Sequence, residues 1–395
     1  MNKNILTSEI QDYISEHLRT NLITILLKPL HLKGVTNKEV AEQIEAKNKC
    51  KDKLPIWFGT PDIYFPNKVN IEQTSSEITA QYKAGLLSGK SLLDMTGGFG
   101  VDSYFFSQGI EQVHHCEMNR ELSEIAEYNF KVLGRANIHT HAKDGIDFLK
   151  NSEIVFDWVF IDPSRRHDAK GKVFLLSDCL PNVPDNLEAI LGKAKKIMIK
   201  TSPLLDLSAG LKELDFVKEI HIISVKNEVK EILWILERGH NWKVLIKTAN
   251  LNGLTMEGFH FIQGEEKMTL SNFSDPLKYL YEPNSAILKS GAFKTVGNRF
   301  NLYKLHDHSH LYTNNQLIEF PGRVFKIVKT IPFNKKEIQK LNLAKANITV
   351  RNFPMNVADL RKKYKIKDGG EVYLFFTTNS KGDKIVIECL KTEAK

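Results

Sequence analysis

Cysteine is scarce in this chain of 395 residues: Cys50, Cys116, Cys179 and Cys389 stand too far apart for a CxxC pair or a zinc knuckle. Thiols used so sparingly fit a reduced, cytoplasmic setting. Long apolar runs are also missing. The longest near the N-terminus, Leu22 to Leu32, is broken by Lys28 and Pro29, so it predicts neither a membrane span nor the apolar core of a signal segment. No targeting segment and no membrane partner are expected. Nor is the chain poor in apolar residues as disordered chains are, since 42% of it is hydrophobic and 9% aromatic. Two or three domains with ample cores are expected at this length.

What is present in excess is positive charge, unevenly spread. Residues 241–395 hold 25 Lys and Arg against 14 Asp and Glu, a balance of +11 that leaves −3 of the total +8 for residues 1–240. Within that part, residues 321–395 hold 17 basic and 7 acidic residues. A localised basic surface is the electrostatic footprint of a polyanion binder; a solvated lysine-rich face is the plain alternative.

Along the chain, Ser8 with Gln11 and Thr36 with Glu39 have capping-box spacing and precede apolar residues at helical intervals. They predict a helical module, followed by a connector in which Trp57, Phe58, Tyr64 and Phe65 lie among prolines and fill core. A helix from Ser75 or Ser76 then leads into Ser91 to Val101, Ser-Leu-Leu-Asp-Met-Thr-Gly-Gly-Phe-Gly-Val, which reads as a strand, a tight glycine turn and the start of a helix. Strands and helices alternate from there. Strands are predicted at 112–118, 138–142, 155–161 and 197–200, which implies a doubly wound parallel sheet with ligands at the carboxyl ends of its strands. Residues 219–226 and 230–238 are too close for a helical crossover and must pair antiparallel. A β-rich connecting region runs to about Phe320. The last segment reads strand 323–331, helix 334–343, strand 347–353, helix 357–364 and a hairpin of 371–378 with 384–390, a small α+β domain of ferredoxin-like size. The boundaries expected are 1–74 for the helical module and connector, 75–240 for the sheet domain, 241–320 for the connecting region and 321–395 for the basic domain.

Three features line up on the strand tips: the glycine turn after Asp94; Glu117, 23 residues later at the next tip, where an acid can accept both hydroxyl hydrogens of a ribose; and Asp162-Pro163-Ser164-Arg165 at the fourth tip. With the closing hairpin, these residues resemble the class I S-adenosylmethionine-dependent methyltransferases. Asp94, Gly97, Gly98 and Gly100 match the first motif of that family, with Thr96 where many members have another glycine. Glu117, followed by Met118, matches its ribose acid, and Asp144 with Gly145 matches the position that contacts the adenine amine. Asp162-Pro163 matches the fourth motif, typical of enzymes that methylate amino groups on bases. The resemblance implies a Rossmann-like seven-stranded sheet with a terminal antiparallel hairpin, S-adenosylmethionine as cofactor, and Asp162 and Arg165 as catalytic residues. Two departures qualify it. The aromatic that would stack on a base is replaced by Ser164-Arg165-Arg166, closer to a variant found in some RNA methyltransferases. The fifth strand ends in Lys200-Thr201-Ser202-Pro203 with no cysteine, which excludes covalent activation of a pyrimidine carbon and leaves a nitrogen or oxygen acceptor. The basic C-terminal domain resembles the THUMP-like domains joined to such catalytic domains in a bacterial family of RNA methyltransferases, which implies a structured RNA, such as a tRNA or rRNA, as partner. The expected activity is methyl transfer to a base nitrogen of RNA.

Other readings stand beside it. A nicotinamide dehydrogenase would carry GxGxxG, whereas Ser103 occupies the third place here. A non-catalytic RNA-binding protein with a methyltransferase fold, or a small-molecule methyltransferase, would share the strand-tip motifs. His306, His308 and His310 alternate as strand-borne metal ligands would, but lack an acidic or thiol partner; they are expected to face solvent, the pair His114-His115 to be packing, and no metal to be bound.

Overall fold

The computed structural model describes residues 1–27, 31–165 and 175–392, with no description of the Arg165 side chain. They form two compact units: Met1–Lys218 with Ile232–Asn241, and Glu219–Glu231 with Trp242–Lys395.

The first unit begins with helices α1 (Ser8–Glu16), α2 (Leu22–Leu27), α3 (Asn37–Lys53), α4 (Pro55–Gly59), α5 (Lys68–Gln73) and α6 (Glu77–Ala84). Thr36 and Glu39 form the expected reciprocal cap on α3. Ser8 and Gln11 do not. A 3-10 turn over Lys3–Leu6 carries the chain into α1 with Thr7 as the cap residue, and the Gln11 amide donates to the carbonyl of Ile5 instead. Trp57, Tyr64 and Phe65 of the connector are buried, as core filling requires. The Gln43 amide bonds both backbone groups of Phe65, and the Asn129 amide those of Tyr64, so an irregular stretch is held without a ladder of its own.

The sheet of this unit contains β1 (Gly89–Asp94), β2 (Ile110–Cys116), β3 (Ile138–His141), β4 (Phe156–Ile161) and β5 (Ala194–Thr201), all parallel. Between them run α7 (Val101–Phe106), α8 (Arg120–Val132), α9 (Gly145–Asn151) and α10 (Val183–Leu191), and α11 (Leu207–Glu213) follows β5. The hairpin is formed by β6 (Val217–Val225) and β7 (Glu228–Glu237), which turn through Lys226 and Asn227, both at positive φ. β7 lies antiparallel to β5, and at the open end of the hairpin the Glu237 N–H donates to the carbonyl of Phe216. The order 3-2-1-4-5-7-6, with one antiparallel strand, is the expected Rossmann-like arrangement with its hairpin, and two further strands beyond β6 bring the sheet to nine. Asp157, the one charged residue of β4, accepts the N–H groups of Lys90 and Ser91 at 2.6 and 3.1 Å and pairs with Lys195, which sets the start of β1 beside β4.

The second unit carries β8 (Leu245–Asn252), parallel to β6, and β9 (Thr255–Ile262), antiparallel to β8. The stretch to Phe320 is less purely β than expected. It holds α12 (Glu265–Met268), α13 (Ser285–Ser290) and α14 (Phe293–Arg299), because Asn284 caps α13 and the Glu266 carboxylate accepts the N–H groups of Lys294 and Thr295 at the start of α14. Its strands β10 (Tyr279–Pro283), β11 (Tyr303–Lys304) and β12 (Tyr312–Asn314) join β13 (Gly322–Pro332), β14 (Asn347–Val350), β15 (Val372–Thr378) and β16 (Lys384–Lys391) in one seven-stranded sheet of order 11-12-10-13-16-15-14. Helices α15 (Lys335–Lys340) and α16 (Val357–Tyr364) place Ile338 and Leu360 in one core with Leu374, Phe376 and Val386. The small α+β order read from the last segment is present, and its sheet continues into the preceding region because β10 pairs with β13.

Among the described residues no helix is long and apolar enough to cross a membrane, and no group of three or more His, Cys, Asp or Glu converges as a metal site. His306, His308 and His310 sit in a turn rather than on a strand. Only His308 is exposed; His306 contacts Asn352, and His310 stacks on Phe293 with ring centroids 3.6 Å apart. His115 is fully buried, as packing predicts, and His114 lies against His141.

Candidate functional site

At the carboxyl ends of β1 to β5, Thr96, Gly97 and Gly98 form a half-exposed loop between the buried Met95 and Phe99. Gly98 and Gly100 have φ of +55° and +86°, the left-handed region that glycine enters without strain. Gly97 is required for a different reason: a Cβ there would lie 2.2 Å from Nε2 of His115, whose ring forms the buried floor of the loop. The Gly97 N–H donates to the carbonyl of Cys116, fastening the loop to the tip of β2. Burial pushes the His115 imidazole down to about 4, so it is a neutral floor.

Glu117 follows β2 directly. Its Oε2 accepts from the Gly98 N–H at 3.0 Å and its Oε1 from the Asn119 N–H at 2.7 Å. A carboxylate has about four lone-pair positions, so this bridge fixes the group and still leaves one acceptor site on each oxygen, the pattern that suits a diol. Met118 is exposed beside it. Asp144 caps α9 through Oδ1, which accepts from the Asp147 N–H at 3.0 Å. Gly145 approaches the β1 tip so closely that a Cβ would fall 2.4 Å from the carbonyl of Met95, and the third tip is thereby brought against the first.

Asp162 and the buried Pro163 continue β4. The Asp162 N–H donates to Oγ1 of Thr96 at 2.7 Å, so Thr96, the irregular residue of the glycine loop, ties the first tip to the fourth. Lys200 was not singled out from sequence, yet its ammonium donates to Oδ2 of Asp162. The pairing of Ile161 with Ile199 brings the next residues of β4 and β5 side by side. The signal was a lysine at the tip of the fifth strand, but only sheet order makes it a neighbour of Asp162. Arg165 pairs through its backbone with Cys179 in a two-residue ladder; Arg166 lies outside the described residues.

Below the loop, Asp94 is wholly buried. It accepts from Ser103 Oγ at 2.6 Å and from the Thr96 N–H at 3.2 Å. Burial pushes its carboxyl up to about 7, the neighbouring Asp102 and Asp162 add to the rise, and the bonds from Ser103 and Thr96 oppose it. Asp94 therefore shapes the loop from within. Asp102 in turn pairs with the fully buried Lys83 at 3.0 Å and accepts from Ser75 at 2.7 Å. These partners come from α6 and the residue before its cap, and neither Lys83 nor Ser75 carries a motif that would mark it in the sequence.

The strand order, the glycine loop and acids on the second and fourth tips define a class I methyltransferase. Residues 322–391 match the family described as THUMP domain-like, and residues 279–321 one described as a ferredoxin-like domain. A crystal structure described as that of a "putative methyltransferase" from Porphyromonas gingivalis W83 is 32% identical, with a TM-score of 0.89 and 99% of each chain covered. A protein of Mycobacterium tuberculosis described as an uncharacterized S-adenosylmethionine-dependent methyltransferase is 21% identical over 309 residues, 75% of this chain and 80% of its own length. This chain belongs to the same family as the Porphyromonas protein, the S-adenosylmethionine-dependent methyltransferases that carry a THUMP-like domain.

Proposed function

We propose that the chain methylates RNA at a base nitrogen, with Asp162 orienting the acceptor. The observation that carries the site is the set of half-exposed carboxylates, Glu117, Asp144 and Asp162, around one glycine loop on adjoining strand tips. Glu117 would hold the ribose hydroxyls of S-adenosylmethionine, Asp144 the adenine amine, and the Gly97-Gly98 backbone the methionine end. When bound, the cofactor supplies a methyl group activated by its sulfonium.

The protein then has to aim a lone pair and exclude water. Lys200 occupies Oδ2 of Asp162 and Thr96 holds its backbone, so the carboxylate is fixed with Oδ1 left to accept an acceptor N–H and later its proton. In the sequence Ser164, Arg165 and Arg166 follow Pro163 directly, and a guanidinium suits a base or a phosphate. RNA as the substrate rests on two supports, the match of residues 322–391 to a THUMP-like domain and the excess of 17 basic over 7 acidic residues in 321–395.

The test is mass spectrometry of nucleosides from total RNA of cells with the protein, without it, and with Asp162→Asn as the only copy. One methylated nucleoside should vanish in the second and fall by roughly a hundredfold in rate of formation in the third. An unchanged profile in cells without the protein would sink the RNA reading. Titration of the purified protein with S-adenosylmethionine checks the cofactor separately, and absence of binding at millimolar ligand would remove the enzyme reading as a whole.

A further inference from the structure

The second unit contains a cavity of about 150 Å³ whose wall includes Ser271, Asn272, Phe293, Lys294, Asn298 and Lys304. Among the described residues no Asp or Glu lines it. Lys304, on β11, is only 3% exposed, and its ammonium donates to the backbone carbonyl of Asp307 at 2.7 Å. That neutral acceptor meets one of its three N–H donors. Ser271 Oγ, on the same wall, is buried and without a partner. The two are fastened together, because the Lys304 N–H donates to the carbonyl of Asn272 at 2.7 Å and its carbonyl accepts from the Ser274 N–H.

A buried cation without a carboxylate partner is costly, and a bound anion offsets that cost. Burial does push the Lys304 ammonium below its ordinary range, and Lys294 adds to the effect while Asp307 and Glu266 oppose it. Glu266 is already committed to the start of α14, where it accepts from the N–H groups of Lys294 and Thr295 and from Thr295 Oγ1 at 2.7 to 2.9 Å. The volume is well below the roughly 300–1,000 Å³ of sites for drug-sized ligands, which excludes a whole nucleotide and suits a single tetrahedral oxyanion. Leu270 and Tyr303 on the wall are exposed, so the cavity opens to solvent and an anion attached to a larger molecule can reach it.

We propose that this cavity binds a phosphate group, free or as the monoester end of a larger molecule, through Lys304, Lys294 and Ser271. The site is independent of the methyl-transfer reading and stands or falls on its own.

Calorimetric titration of the full chain with inorganic phosphate, using nitrate at matched ionic strength as control, provides the test. Saturable binding of phosphate is expected. Asn298→Asp, which puts a carboxylate at the exposed mouth without touching the core, and Lys304→Met should each weaken it by about tenfold or more. Lys329→Ala, an exposed change outside the wall, should leave it unaltered. Absence of saturable binding at roughly millimolar phosphate overturns the proposal, as does wild-type affinity in a folded Asn298→Asp protein. A further titration compares one oligoribonucleotide with and without a 5′-phosphate. Preference for the phosphorylated form that Asn298→Asp abolishes assigns the phosphate to a nucleic-acid end, whereas equal affinity alongside intact phosphate binding assigns it to a free anion.

Discussion

Gly97 and His115 show how narrowly the glycine loop is set. A methyl group on Gly97 would meet an imidazole that is buried and already edge-on to Phe130, with ring centroids 5.4 Å apart. Overpacking of this kind costs about 1–3 kcal/mol. Gly97→Ala should therefore lower the urea midpoint and weaken S-adenosylmethionine binding by about tenfold or more; calorimetry on the folded variant reads the second effect, and wild-type affinity would show that the loop tolerates the shift. Asp94 and His115 also give the site opposed responses to pH. Asp94, raised to about 7, keeps a proton in the folded state that the unfolded chain releases near pH 4, so its contribution to stability falls as pH rises through that window. His115, depressed to about 4, binds its proton only on unfolding below its ordinary range near 6.5, so its contribution falls as pH drops. Asp94→Asn removes the first response and leaves the second. The gain in urea midpoint between pH 5 and pH 7.5 should then be larger in the variant than in the native protein, and an equal or smaller gain would contradict the assignment.

Among the elements, the β2 tip and α8 depend on one another. Asn119 caps α8 by accepting from the Leu122 N–H at 3.1 Å, while its own N–H donates to Glu117. The side chain thus serves the helix and the backbone serves the candidate ribose acid. Asn119→Ala should cost about 1 kcal/mol of stability through the lost cap yet keep cofactor affinity within about threefold, because the N–H to Glu117 remains. Thermal unfolding and calorimetry on the same sample separate the two effects. A large loss of affinity would mean that the cap also places Glu117. The same division of labour appears at the fourth tip, where Thr96 serves the backbone of Asp162 and Lys200 its carboxylate.

At the scale of the whole molecule, the basic excess of residues 321–395 is one of the two supports of the proposed RNA recognition. Lys362 and Lys363 are exposed near the end of α16. If they face phosphates, Lys362→Glu with Lys363→Glu should weaken RNA binding by about tenfold or more at low salt and reduce the slope of log affinity against log salt by about two, with S-adenosylmethionine binding unchanged. Filter binding across a salt series measures both, and an unaltered slope would remove these lysines from the interface.

By itself the sequence determined the kinds and places of the strand ends. Asp94 and Asp162 each follow a short apolar run, Glu117 ends a short segment bounded by Gly109 and Asn119, and the short Lys226-Asn227 turn leaves antiparallel pairing as the only solution for β6 and β7, because these signals are local in the chain. The order of the last small α+β segment was legible for the same reason. Tertiary structure alone decided which residues meet. Lys200 reaches Asp162 because β5 lies beside β4, Gly97 is dictated by a histidine 18 positions away, and Lys83 comes from a preceding helix to balance Asp102. The turn that carries His306, His308 and His310, and the helices that interrupt the expected β-rich region, were likewise settled by caps and packing supplied by distant residues. Periodicity reports how a segment buries its own face, whereas register and sheet order bring together side chains that the chain keeps far apart.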